Sequence, residues 1–315
     1  KSMGLGTIAF AESYARARPD VLLAVGDRFE MHAAVMAALP FGIPVAHVHG
    51  GEVTEGAIDD ALRHGITKVA HLHFTSTQTY RERVIQLGEE PWRVTVSGAP
   101  SLDNLRTVRL LSRAELAARL GVPFDPAPLL VTFHPVTREI ERTPAQIDAL
   151  LAALHALRHP AVFTLPNADT GGQLVAQRVR AFVASHTNAW IADNLGTEAY
   201  FSVMNLAAAM AGNSSSGIIE ASSFELPVVN VGSRQAGRIR AANVIDVDDD
   251  AASIHAGLQR ALHPEFRAAL RGLTNPYDGG DAAAAIVARL RDEPLGDRLM
   301  RKRFHDVPVL EPHRG

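Results

Sequence analysis

Apolar positions in this chain fall into two alternating kinds of run. Short aliphatic blocks, among them VLLAV at 21–25, PVAHV at 44–48 and LLVTF at 129–133, end at Gly26, His49 and His134. A block this short and apolar at nearly every position reads as a strand covered on both faces, which a parallel sheet flanked by helices provides. Between the blocks lie amphipathic stretches of roughly ten to fifteen residues, the length of crossover helices.

Taken in order, the pattern predicts a helix over 4–18 stopped by Pro19, a strand at 21–25, a helix over 28–39, a strand at 44–48, a helix over 59–70, a strand at 72–75, a helix over 77–87 and a strand at 94–96. Periodicity lapses around 98–109 and then resumes. The second series is a helix over 112–120, a strand at 129–133, a helix over 144–157, a strand at 161–165, a helix over 172–186, a strand at 189–192, a helix over 197–207, a strand at 208–212, a helix over 216–224 and a strand at 227–231. The expected fold class is therefore α/β, with two Rossmann-like doubly wound domains at 1–108 and 109–280. A last helix at 281–292 and a charged tail at 293–315 follow, and Arg298, Arg301, Lys302 and Arg303 of the tail read as solvated.

Composition narrows the partners. With 315 residues and 47% hydrophobic content the chain can fill two cores. A net charge of −3 gives no bulk attraction to nucleic acid or an anionic membrane, so any bound phosphate must be met by local groups. The absence of cysteine removes disulfides and thiolate chemistry and suits a cytoplasmic protein. No apolar run is long enough for a membrane span. The sequence opens at Lys1 inside a helical pattern, which reads as a fragment of a longer chain.

Candidate chemistry gathers between Gly26 and His64. Carboxyl ends of parallel strands form the ligand crevice of an open α/β sheet, which places Asp27, Arg28, His49 and Glu52 on one rim. A turn-capping role is the bland alternative for Asp27. Asp59 and Asp60 open a helix whose next turn carries Arg63 and His64; there acids complement the helix dipole, and Asp59 can pair with Arg63 at i, i+4. His134 precedes a proline that turns the chain out of its sheet, a place as suited to a structural as to a functional histidine. Asn213, Ser214, Ser215, Ser216 and Gly217 join a strand to a helix, where free backbone N–H groups and hydroxyls would cradle an anion and Glu220 could accept from ribose hydroxyls; a plain serine cap is the alternative. Arg234, in GSRQAGR, is on its own a loop arginine. His47, His49, His71 and His73 alternate along predicted strands as buried or rim histidines, and no metal site is predicted.

Together GDRFE, HVHGGEVTEGAIDD, VTFHP and GNSSSGIIE resemble the UDP-N-acetylglucosamine 2-epimerases, specifically their hydrolysing branch, from the first residues to about Leu290. The resemblance implies the glycosyltransferase-B arrangement, with ligand in an interdomain cleft and the last helix returning to the first domain. It also implies further strands ahead of the position matching Lys1, which leaves the first domain of this chain incomplete. By resemblance, Asp27, His49, Glu52, Asp59 and Asp60 form the acid/base set, and His134 faces the phosphates. Arg28, Arg63, Asn213, Ser214, Ser215, Ser216, Gly217, Glu220 and Arg234 would bind the UDP-sugar. Non-hydrolysing members carry glutamate at the position of His49, so acid/base work stays open between His49 and Glu52. The implied reaction converts UDP-N-acetylglucosamine and water to N-acetylmannosamine and UDP through 2-acetamidoglucal, with no cofactor, in a homo-oligomer (dimer or tetramer). Alternatives are the same reaction on UDP-2,4-diacetamido-2,4,6-trideoxyglucose, a glycosyltransferase of the same architecture, and a non-catalytic nucleotide-sugar binder.

Overall fold

The computed structural model describes residues 1–55, 57–166, 171–193 and 195–308. The chain forms two compact units, one of Lys1–Glu52, Ile58–Asp103 and Tyr277–Gly315, the other of Val53–Ala57 and Asn104–Pro276. Both are parallel-sheet α/β units, as the hydrophobic pattern predicts. The short segment Val53–Ala57, expected in the first domain, instead belongs to the second unit, where the Glu55 N–H donates to Ala236 O at 3.3 Å.

In the first unit four parallel strands, β1 (Leu22–Val25), β2 (Val45–Val48), β3 (Leu72–Thr75) and β4 (Val94–Val96), lie in sequence order. Helices α1 (Ser2–Ala17), α2 (Phe29–Ala38), α3 (Asp59–Val69) and α4 (Gln78–Gln86) alternate with them. Every residue of β2 and β3 is buried, which explains their apolar character apart from two histidines and Thr75. Val35, Val45 and Ile66 pack in one cluster. Ala46, Val48, Leu72 and Phe74 pack in another with Ile286, from the helix Ala282–Asp292, and Leu299. The last helix thus belongs to the core of the first unit. A Cβ on Gly98, whose φ is 82°, would lie 2.5 Å from Gly279 N, so glycine is what lets the returning backbone come this close.

The tail corrects an expectation. Lys302 is not solvated: its Nζ donates to Lys68 O at 2.7 Å and Ala70 O at 2.6 Å and pairs with Glu89 at 2.7 Å. Glu89 is wholly buried and also meets Lys68 and His73, so the tail supplies a cation that a buried carboxylate requires. Burial alone would raise the Glu89 pKa, but hydrogen bonds from His73, Lys302 and Lys68 hold it at about 2. The buried Arg93 guanidinium donates to the carbonyls of Leu299, Arg298 and Arg301 at 2.8, 3.1 and 3.2 Å. Arg301 and Arg303 keep exposed side chains; residues 309–315 of the predicted tail lie outside the described residues.

The second unit is a six-stranded parallel sheet of β5 (Leu129–Thr132), β6 (Ala161–Thr164), β7 (Ala189–Ala192), β8 (Ala209–Gly212), β9 (Val228–Val231) and β10 (Val244–Val247). Its order is β10-β9-β8-β5-β6-β7, the doubly wound order in which the chain reverses direction between β5 and β8. Two cores, one around Leu129, Phe133 and Ile147 and one around Leu130, Met204 and Met210, fill its faces. The hydrophobic pattern misses β10 and the helix Ala251–Leu262: β10 has a single buried position, too little to mark a strand. The helix expected over 216–224 is one α-turn, Ser216–Ile219, continued by a 3₁₀ turn, Ala221–Phe224. Among the described residues no helix is long and apolar enough to cross a membrane.

Candidate active site

In the first unit β1, β2 and β3 end beside one another, and the residues that follow are Gly26-Asp27, His49 and Ser76. His49 has φ 72°, a left-handed conformation that a residue with a Cβ rarely adopts and that marks functional turns. Gly51 continues the turn at φ 77°; a Cβ there would lie 2.3 Å from Tyr80 O. This double reversal brings Glu52 back under His49. The Glu52 carboxylate, 2% exposed, sits 2.7 Å from His49 Nδ1 and accepts from Ser76 Oγ at 2.9 Å. A carboxylate at Nδ1 keeps the proton on that nitrogen and leaves Nε2 with its lone pair. The His49 side chain remains 20% exposed.

Arg63, on α3, links the other acids. Its guanidinium has no exposed surface; Nη1 donates to Asp60 Oδ1 at 3.1 Å and to Glu52 O at 2.9 Å, and Nη2 is paired with Asp27 Oδ2. Asp27 and Asp60 keep 24% and 22% of their side chains exposed. The structure thus brings together Asp27, His49, Glu52, Asp60 and Arg63. It also corrects the reading of Arg63, which has no surface left for a substrate, and the expected Asp59 partner at i, i+4 gives way to Asp60 at i+3 and to Asp27 from β1. Asp59 is half-buried in the first turn of α3. Arg28 is exposed and pairs with Glu30 at 3.3 Å. Sequence reasoning missed Ser76, although its place at the end of β3 on the same rim is a usable signal.

The second unit builds its site where β5 and β8 part. The buried amide of Asn213 accepts from the His134 N–H at 2.7 Å and donates to His134 O at 2.8 Å. Gly212, at φ 127°, allows this closure, since a Cβ would lie 1.9 Å from Thr132 O. The Asn213 carbonyl accepts from Arg234 Nη1 at 3.2 Å and Gln235 Nε2 at 2.9 Å. Asn213, expected as a ligand contact, is therefore a tie between strand ends that sets the backbone of His134.

The serine turn is partly self-satisfied, a second correction. Ser216 N–H donates to Ser214 Oγ at 3.3 Å and Gly217 N–H to Ser214 O at 3.2 Å. Those amides are occupied, whereas the N–H groups of Ser214 and Ser215 make no hydrogen bond among the described residues. Gly217 packs where a Cβ would stand 2.9 Å from Val228 Cγ1. Tyr200, which carries no motif signal, puts its hydroxyl among those of Ser216, Thr132 and Ser214. Burial raises its pKa, Glu220 adds to the rise, and the three hydroxyls oppose it. Glu220 is 8% exposed.

Two Rossmann-like units of this kind define the glycosyltransferase-B class of folds. The model of the UDP-N-acetylglucosamine 2-epimerase family matches residues 1–291, and the chain belongs to that family. It is 40% identical to a GDP/UDP-N,N'-diacetylbacillosamine 2-epimerase (hydrolyzing) of Campylobacter jejuni, over 78% of this chain and 65% of that one. A UDP-N,N'-diacetylbacillosamine 2-epimerase (hydrolyzing) of Legionella pneumophila is 36% identical over 96% of this chain and 78% of its own length. The chain therefore spans about two thirds to four fifths of these relatives. Among solved structures, the UDP-GlcNAc 2-epimerase of Neisseria meningitidis bound to UDP-GlcNAc shares the fold, with TM-score 0.81 at 18% identity over 92% of this chain and 81% of that one.

Proposed function

We propose that the protein is a hydrolysing 2-epimerase of a UDP-linked 2-acetamido sugar, releasing UDP and the free sugar inverted at C2. The observation that carries this reading is the His49–Glu52–Ser76 chain beside the Arg63-bound pair Asp27 and Asp60. Inversion at C2 removes a proton from one face and returns one to the other, so the reaction needs two proton-transfer groups, and this rim offers a histidine and a carboxylate pair.

In the first step His49 Nε2 takes the C2 proton, the C–H electrons form the C1=C2 bond, and the C1–O bond breaks with its electrons leaving on the β-phosphate of UDP. Glu52 orients His49 and stabilises the imidazolium that forms, so on this reading His49 does the acid/base work and Glu52 positions it. In the second step water adds its hydroxyl to C1 and gives its proton to Asp27 or Asp60, which delivers it to C2 on the face opposite the one deprotonated, and His49 releases the proton it took to solvent. Arg63 keeps both carboxylates in place without itself meeting substrate. The nucleotide falls to the second unit, with Ser214, Ser215, Ser216, Glu220 and Arg234 as its contacts and His134 beside the departing phosphate.

The names of the two relatives favour a 2,4-diacetamido-2,4,6-trideoxy sugar over UDP-N-acetylglucosamine, so the former is the proposed substrate. Both nucleotide sugars should be incubated in D₂O and followed by proton NMR. The expected result is UDP and a free sugar deuterated at C2, faster from the diacetamido substrate. Release of UDP without deuterium at C2 would show simple hydrolysis and overturn the mechanism.

A further inference from the structure

His47 is absorbed by nothing above, yet it touches three parts of the acid/base rim. It lies on β2, wholly buried, two residues before His49. Its Nε2 is 2.9 Å from Gly26 O, the carbonyl just before Asp27. Its Nδ1 is 3.3 Å from Thr67 Oγ1 on α3, and the same hydroxyl donates to Arg63 O at 3.1 Å. Gly50 is packed over the ring, where a Cβ would stand 3.2 Å from Nδ1.

We infer that His47 is a positioning residue, a strut that sets the Asp27 turn against Arg63 on α3. The Gly26 contact fixes the tautomer: Nε2–H donates to the Gly26 carbonyl, which leaves Nδ1 as an acceptor, and the one Thr67 hydroxyl hydrogen is shared between Nδ1 and Arg63 O. An apolar side chain would fill the same space without either bond and would take from the partly buried Gly26 carbonyl its side-chain donor. Burial lowers the His47 pKa to about 3, with Arg63 among the lesser causes, so the ring stays neutral and adds no second cation beside the buried guanidinium. The inference rests on the proposed function in one respect: Asp27 matters to turnover only if it moves protons.

The test compares His47→Phe, His47→Gln and Thr67→Val by amide exchange and by turnover. Glutamine can place an amide N–H where Nε2–H lies; phenylalanine cannot. The phenylalanine variant should lose exchange protection at residues 26–28 and 63–67, and its kcat should fall about 10- to 100-fold, the usual cost of misplacing a catalytic group. KM and UDP binding should stay within about twofold, because uniform binding is untouched. Glutamine should restore both readouts in large part, and Thr67→Val should show a smaller loss in the same direction. Unchanged protection in a folded phenylalanine variant, or a folded glutamine variant no better than phenylalanine, overturns the strut. Altered protection together with wild-type protein that turns over neither nucleotide sugar leaves the strut standing and removes the epimerase reading instead.

Discussion

The rim of the first unit and the serine turn of the second both stand at the ends of parallel strands, yet they handle polarity in opposite ways. The first is built of full charges that hold one another: one buried guanidinium serves Asp27, Asp60 and the Glu52 carbonyl, and one buried carboxylate serves His49 and Ser76. The serine turn of the second is built mainly of small hydroxyls on a backbone tied by one amide, Asn213 to His134. Proton transfer needs groups whose position and protonation are dictated by partners in low dielectric. Holding a diphosphate needs short donors and room for close approach, with the charge brought by the ligand. On the proposed function, the difference between the two regions is the difference between those tasks.

Replacing His49 is the strongest way to break the comparison. His49→Asn should lower kcat about 10²- to 10⁴-fold, the range for a general base. Calorimetry should show UDP bound as before; a matching loss of UDP affinity would mean the two regions do not divide the work. Next is Arg63→Met, which leaves Asp27, Asp60 and a carbonyl without their shared donor. Removing one partner of a buried ion pair costs about 3–5 kcal/mol, read as a lower urea midpoint. Asn213→Ala should cost less, about 1–3 kcal/mol for the His134 backbone groups it strands, and should weaken UDP binding while leaving amide protection on the first rim intact.

The smallest expected effect is on the pH dependence of stability. Burial lowers the pKa of His47 to about 3 and of His71 to about 4, the latter with Lys302 and Arg93 contributing. In the unfolded chain both titrate near about 6.5. Between these values the unfolded state binds more protons, so stability falls as pH drops from about 6.5 toward 3. Glu89, held at about 2, extends the loss below the ordinary carboxylate range. Melting temperatures across about pH 7 to 4 should decline in wild type and decline less steeply in His47→Gln.

Much of this was legible from residue order. Blocks such as VLLAV and PVAHV announce buried parallel strands because both their faces are covered, and the strand-end rule then places Asp27, His49 and Glu52 on one rim. What escaped was of two kinds. β10 offers one buried position, so its pairing with β9 rather than its own pattern makes it a strand. The tail cation Lys302 looks solvated until Glu89, more than two hundred residues away in sequence, requires it.

By itself, then, the sequence determined the alternation of elements, the parallel sheets and the residue types that collect at their carboxyl ends, because side-chain periodicity and glycine placement are local properties. Only the tertiary structure decided which of those groups are tied to one another and which keep exposed surface. Arg63 became a buried clamp, Asn213 a tie between strand ends and Glu52 the buried partner of His49 through contacts between chain segments that spacing does not encode. In a closely packed interior a polar group's role is set by the partner it is left facing, and that partner is chosen by the fold.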